Sequence, residues 1–168
     1  MSNSLESFRD WLASMIKASK KDMDENFHLK GSLTLELHKA DGTIETRRKD
    51  NLIVNGGFDF ICDAIGSSGR GTIMSYIAVG TGTTAASATQ TALITESARG
   101  AASYAHTAGT KVFTLTATFA AGTATAALTE AGVFNASSSG TMLDRVVFSV
   151  INKGADDTLT ATFQFTLS

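Results

Sequence analysis

The 168 residues carry a formal net charge of −2, three histidines and a single cysteine, Cys62. A chain of this length is expected to form one domain that buries roughly 70% of its unfolded surface, so it needs no disulfide or structural metal. The charge balance argues against a dedicated nucleic-acid binder, which carries a basic surplus, and no run of about 18 apolar residues is present to span a membrane.

Proline is absent, although average usage would give about eight. Proline is one of the devices that stop sheet edges from pairing, so its absence points to edges that are covered or that meet another subunit. Threonine fills roughly one position in seven, which suits pleated, half-buried surface. More than half of the charged residues precede Asn51. The pattern predicts a polar N-terminal arm, residues 1–30, followed by a weakly charged β body, residues 31–168. Glu6 and Asp10 interrupt the first apolar pattern, unlike a signal peptide, so the chain is expected to be made and used in a cytoplasm or released by lysis.

In the arm, Asn3 and Glu6 are spaced as a capping box, and Leu5, Phe8, Leu12, Met15 and Ile16 recur at helical spacing. Trp11 widens that stripe, and Lys17, Lys20 and Lys21 fall towards the C-terminal end, where cations suit the helix dipole. The run Asp22-Met23-Asp24-Glu25-Asn26 reads as a fraying end or linker. A lone amphipathic helix is marginal in water and must dock. It either packs on its own sheet or staples to a neighbouring subunit; acidic residues among the lysines weaken a membrane-surface reading. In the stapling reading Leu5, Phe8, Trp11, Leu12, Met15 and Ile16 are the partner-binding residues.

Leu33, Leu35 and Leu37 alternate, Asp41-Gly42 marks a hairpin turn, and Ile44 begins the return strand. The basic triplet Arg47-Arg48-Lys49 reads as a solvated edge that discourages stray pairing rather than a phosphate site. Leu52-Ile53-Val54 is a short strand. Phe58, Ile61, Cys62 and Ile65 then fit a short helix over residues 56–65, closed by Gly66, with Cys62 on its apolar face as a buried, inert thiol.

Ile73 to Val79 reads as a strand. The following Gly80-Thr81-Gly82-Thr83-Thr84-Ala85 matches a dinucleotide fingerprint in form only, because no helix–strand repeat follows and no carboxylate stands about twenty residues on. A wide loop crossing between sheets is expected instead. A strand through Ala102, Tyr104 and His106 turns at Ala108-Gly109 and returns as Lys111 to Phe119. There Phe113, Leu115, Ala117 and Phe119 take one face and threonines the other. A short strand lies at Val133 and Phe134. Met142 to Ile151 is expected to pair, through the turn 152–157, with the final strand, where Leu159, Ala161, Phe163, Phe165 and Leu167 share one face. Eight or nine strands at these spacings predict a mainly β, antiparallel β-sandwich or jelly-roll-like body with an N-terminal amphipathic helix.

Catalytic signals are sparse. His28, His38 and His106 are far apart, no Cys/His ligand spacing or nucleophile motif occurs, and Asp156-Asp157 reads as a turn rather than a calcium site. Glu96 with Arg99, and Asp144 with Arg145, are expected as exposed ion pairs worth about 0–1 kcal/mol each. No cofactor is expected.

Several strings in order carry a resemblance: Val79-Gly80-Thr81-Gly82; Thr91-Ala92-Leu93 with Glu96 and Arg99; Glu130-Ala131-Gly132-Val133-Phe134-Asn135; and Gly140-Thr141-Met142-Leu143 with Arg145. Together with the upstream NLIVNGGFDFICDAI they resemble small virion proteins of tailed bacteriophages, over Asn51 to Ser168. Related strings occur in head-decoration (cement) proteins and in collar or tail-fibre-associated proteins. The resemblance implies a non-enzymatic virion part made in the host cytoplasm. The leading expectation is a capsid decoration protein and homo-oligomer, with the major capsid protein lattice and neighbouring copies of itself as partners and neither nucleic acid nor membrane. The alternative is a collar, tail or fibre module that contacts tail or neck proteins and recognises a host surface glycan. A small hydrolase is a third class, and no nucleophile–base pair in the sequence supports it.

Overall fold

A computed structural model describes residues 10–12, 27–69 and 71–168. Two five-stranded antiparallel sheets face each other. The strands are β1 (Leu29–His38), β2 (Ile44–Asp50), β3 (Leu52–Ile53), β4 (Tyr76–Gly80), β5 (Glu96–Ala101), β6 (Ser103–His106), β7 (Val112–Phe119), β8 (Ala126–Phe134), β9 (Met142–Lys153) and β10 (Thr158–Leu167). The helix α1 spans Asn55–Gly66, and residues 10–12 are helical. The first sheet has the order β2-β1-β10-β7-β6 and the second β3-β9-β8-β4-β5. The body is therefore an antiparallel β-sandwich, whose first strand starts just ahead of the expected arm boundary at residue 30.

Alternation builds the core. Leu33, Phe163 and Leu115 stand in one cross-strand row, Leu35, Ala161 and Ala117 in the next, and Leu37, Leu159 and Phe119 in a third. All nine are buried. The opposite face presents Thr34, Thr162 and Thr116 in register, with a hydroxyl contact of 3.1 Å between Thr116 and Thr162. From the second sheet Ile77, Val79, Leu128, Ala131, Val133 and Val146 complete the same core. Burial at this scale supplies the main driving force for folding.

Among the described residues the chain changes sheets four times, between β2 and β3, β5 and β6, β7 and β8, and β9 and β10, and two of these changes are made by a single residue. Asn51 separates β2 from β3, and Ala102 separates β5 from β6, each pair belonging to different sheets. The break at Ala102, whose N–H donates to the Ser75 carbonyl at 2.8 Å, divides an expected single strand and helps raise the count to ten among the described residues.

Two sequence expectations about connectivity are corrected. The strand ending at Lys153 does not pair with β10: β9 lies between β3 and β8, while β10 lies between β1 and β7. β10 alternates, whereas β9 is buried at every position from Met142 to Val146, and placing the two in opposite sheets brings Val146, Phe148 and Ile151 into one core with Leu159, Phe163 and Phe165. The connection is clasped by Lys153, whose ammonium donates to the carbonyls of Ala120 (3.1 Å) and Asp157 (2.7 Å). The Asp157 carboxylate accepts from the backbone N–H groups of Ala40 and Gly154, as its turn reading requires. The loop 81–95 does not cross between sheets either; it joins β4 to β5, neighbours in the second sheet.

Candidate functional site

One end of the sandwich holds an apolar groove of about 700 Å³. Its first-sheet wall is Phe27 just ahead of β1, Leu29 at the start of β1, the end of β10 (Leu167), the first half of β7 (Phe113, Leu115) and Tyr104 of β6. The opposite wall is α1, through Phe60, Ile61, Ala64 and Ile65, with Ile73 and Met74 from the segment leading to β4. Leu143 of β9 also lines it. The volume falls within the range of sites that take small molecules or side-chain anchors.

The helix is held in place by its first turn. Val54 N–H donates to the Leu143 carbonyl at 3.1 Å, and Gly57 is buried so closely that a Cβ there would collide with the same carbonyl oxygen. Only glycine lets α1 approach β9 this far. Beyond that turn the apolar residues of the helix are poorly covered, with Phe58 at 44% and Ile65 at 81% exposure. Across the groove an aromatic series runs from rim to core. The ring centroids of Tyr104 and Phe113 are 6.0 Å apart, those of Phe113 and Phe165 4.9 Å, and those of Phe165 and Phe163 6.2 Å. The groove is thus continuous with the hydrophobic core, and its rim residues Phe27, Ile65, Ile73 and Tyr104 are exposed. Large apolar groups clustered in this way mark interaction surfaces.

The buried polar groups are engaged elsewhere. Glu130, on β8, accepts from Arg145 Nε (2.9 Å) and Nη2 (2.7 Å) and from the backbone N–H groups of Gly82, Ile94 and Thr95. Burial acts to raise its carboxyl pKa, but the Thr95 and Ile94 N–H groups, Arg145 and Gly82 outweigh it and hold the pKa below its ordinary value. Arg145 Nη1 also donates to Gln90 Oε1 at 2.9 Å. The pair therefore ties loop 81–95 over the second sheet, where Leu93 covers Ala78, Phe134 and Met142. Gly82 lacks a side chain because the Glu130 carboxylate occupies that space, which accounts for the glycine spacing that mimics a nucleotide fingerprint.

Arg99 performs a similar task next door. Its guanidinium lies 3.7 Å from the centre of the Phe134 ring. It donates to Glu96 through Nε and Nη2, and to the carbonyls of Ala136 and Ser139 through Nη1. In the core, Asp144 accepts from Val133 N–H at 3.0 Å and from the Asn51 amide. Burial pushes its pKa up to about 7, against the pull of those two bonds.

Of the expected partner-binding residues, Trp11 and Leu12 lie in the helical stretch 10–12, 55% and 43% exposed. Leu5, Phe8, Met15 and Ile16 lie outside the described residues, as do the Asn3–Glu6 box, the lysines and the run 22–26. The Glu96–Arg99 pair forms at 2.7 Å. The other expected pair does not: Arg145 turns to Glu130 and Asp144 to Asn51, and all three charged groups are buried rather than exposed. Cys62 is exposed rather than buried, because α1 turns Ile61, not Cys62, to the core. The strand expected from Ile73 begins only at Tyr76, which leaves Ile73 70% exposed on the groove rim.

Sequence reasoning missed the groove, although Phe27, Phe60, Ile65 and Ile73 are apolar residues outside any strand alternation. It also missed Glu130, a carboxylate within the apolar run of β8. Among the described residues no group of three or more His, Cys, Asp or Glu is placed to hold a metal ion, and no helix is long and apolar enough to cross a membrane. No protein-family model, curated protein or solved structure matches the chain.

Proposed function

We propose that the chain is a non-enzymatic structural protein of a tailed-bacteriophage virion, a capsid decoration protein seated on the outer face of the head lattice and associating with copies of itself. The virion part of this reading is supported by the resemblance over Asn51–Ser168. The observation that carries the assembly part is the apolar groove beside a body whose buried charges are engaged in holding loops. With an amphipathic N-terminal stripe, that leaves apolar surface for contact with other proteins. A repetitive shell also tolerates modest contact area per copy, because many sites act together. The test is co-sedimentation of the purified chain with heads of a phage that encodes it, stripped of this protein. Saturable binding in proportion to the capsid lattice supports the decoration role; absence of binding to heads overturns it.

Tyr104, 62% exposed on the groove rim, favours one alternative, a collar or fibre module whose aromatic ring stacks on a host sugar. That reading predicts binding to host cells or their surface glycan, and none to heads.

A further inference from the structure

We propose that β3 and α1 form a strap latched to β9 through Asp144, closed while that carboxyl carries its proton and released as it ionises. The device is built into the fold and stands whichever partner the groove meets.

Among the described residues four charged side chains are buried: Glu130, Asp144, Arg145 and Lys153. Three of them are compensated. Glu130 and Arg145 pair with each other, and Lys153 donates to two carbonyls. Asp144 faces no cation. Its partners are the Val133 N–H at 3.0 Å and the Asn51 carboxamide. A buried carboxylate with no cation beside it is costly, so the site favours the protonated form. β9 packs against β8, β1, β2, β3 and α1, and the charges on these elements stand apart from Asp144. Arg145 and Glu130 lie on the opposite face of the second sheet, bound to each other. Lys30 on β1, Lys49 and Asp50 at the end of β2, and Asp59 and Asp63 on α1 are exposed. β3 carries no charge.

Position makes this carboxyl a latch. β3 is only two residues long, and its ladder partners are Asp144 and Arg145. Val54 N–H then donates to the carbonyl of Leu143, and α1 starts at the next residue. The backbone pairing of the strap with β9 thus centres on Asp144. On the other side, the Asn51 amide lies over Gly31 of β1, where a Cβ would overlap it. The same amide reaches Asp144, so it closes the corner between the sheets. Its Oδ1 is buried without a hydrogen-bond partner. A protonated Asp144 supplies that partner once the amide is turned over, whereas a carboxylate leaves the oxygen orphaned. Ionisation therefore places an uncompensated charge at the shortest pairing in the second sheet. Release of the strap admits water to the carboxylate and lifts α1, one wall of the groove.

The sign follows from proton linkage. In the closed strap burial holds the Asp144 pKa up to about 7, and in the open, hydrated strap it returns to about 4. Opening is then independent of pH below about 4, grows about ten-fold per pH unit up to about 7, and levels off above.

Hydrogen exchange of the full-length chain, read by mass spectrometry at pH 5 and pH 8 and corrected for the intrinsic pH dependence of exchange, tests this. Residues 51–66 are expected to exchange at least ten-fold faster at pH 8, towards the limit of about a hundred-fold set by two pH units. This occurs within labelling times over which β1, β7 and β10 stay protected at both pH values. Carbon NMR of the wild-type carboxyls is expected to show Asp144 titrating near neutral pH. Asp144→Asn, which keeps the shape and cannot ionise, is expected to exchange equally at both pH values; the wild-type readouts carry the test if that variant does not fold. The proposal is overturned if residues 51–66 exchange equally at both pH values in the wild type, or open only together with β1, β7 and β10. It is also overturned by an Asp144 that titrates near 4 in the folded chain, or by a pH effect that persists in Asp144→Asn.

Discussion

Arg145 Nη2 lies 2.7 Å from Glu130 Oε2, and neither side chain has any exposure to solvent. The two are fifteen residues apart on adjacent strands, and their contact decides where loop 81–95 rests. Removing one partner strands a buried charge, a loss of about 3–5 kcal/mol, whereas replacing both with apolar groups of similar volume is far less costly. Arg145→Met and Glu130→Leu are therefore each expected to destabilise strongly in urea unfolding. The double variant is expected to lose much less than the sum, apart from the three loop N–H groups that Glu130 satisfies.

Asp144 makes stability depend on pH in an unusual direction. Its pKa is raised from 3.8 to about 7 by burial, so the folded state binds its proton more tightly than the unfolded chain. The contribution is fully present below about pH 4 and is lost as pH rises through 7, with a slope of up to about 1.4 kcal/mol per pH unit. The buried Asn51 Oδ1 has no hydrogen-bond partner, and a protonated Asp144 supplies a donor to it once the amide is turned over. Urea midpoints are expected to be lower at pH 8.5 than at pH 5.5, and Asp144→Asn is expected to shrink that difference. Glu130 acts in a separate window: its lowered pKa gives stability that is lost only as pH falls below its ordinary value.

Arg99 is expected to govern the loop after β8. Arg99→Lys loses the planar contact with Phe134 and the paired bonds to Glu96, and it weakens the hold on the Ala136 and Ser139 carbonyls. A guanidinium and an ammonium are not interchangeable at such a site. A loss of about 2 kcal/mol is expected, with faster hydrogen exchange confined to residues 135–141.

Gly57 tests the seating of α1. Gly57→Ala places a methyl group against the Leu143 carbonyl, so the helix must lift from β9, at about 1–3 kcal/mol. Thermal unfolding should shift down, and binding of an apolar dye to the groove should change. An unchanged unfolding temperature would mean that α1 is not anchored through this contact.

The strands were legible wherever alternation was strict. Leu33 to Leu37, Phe113 to Phe119 and Leu159 to Phe165 declare their buried faces because a period of two leaves one reading. Sheet membership was not legible, since the run from Met142 does not alternate and is buried at every position to Val146, a pattern that does not say which strand lies beside it. Charge pairing was not legible either. Asp144 and Arg145 are neighbours in sequence, but adjacent strand residues point to opposite faces, so each finds its partner on another element. The groove escaped notice because it is assembled from Phe27, α1, Ile73 and Tyr104, segments that only the folded chain brings together.

The most direct measurement is immunogold electron microscopy of intact particles of a phage that encodes this chain, with antibody raised against the folded body. A decoration role predicts gold distributed over the whole head. Gold confined to the neck or tail, or absent from every particle, would contradict it.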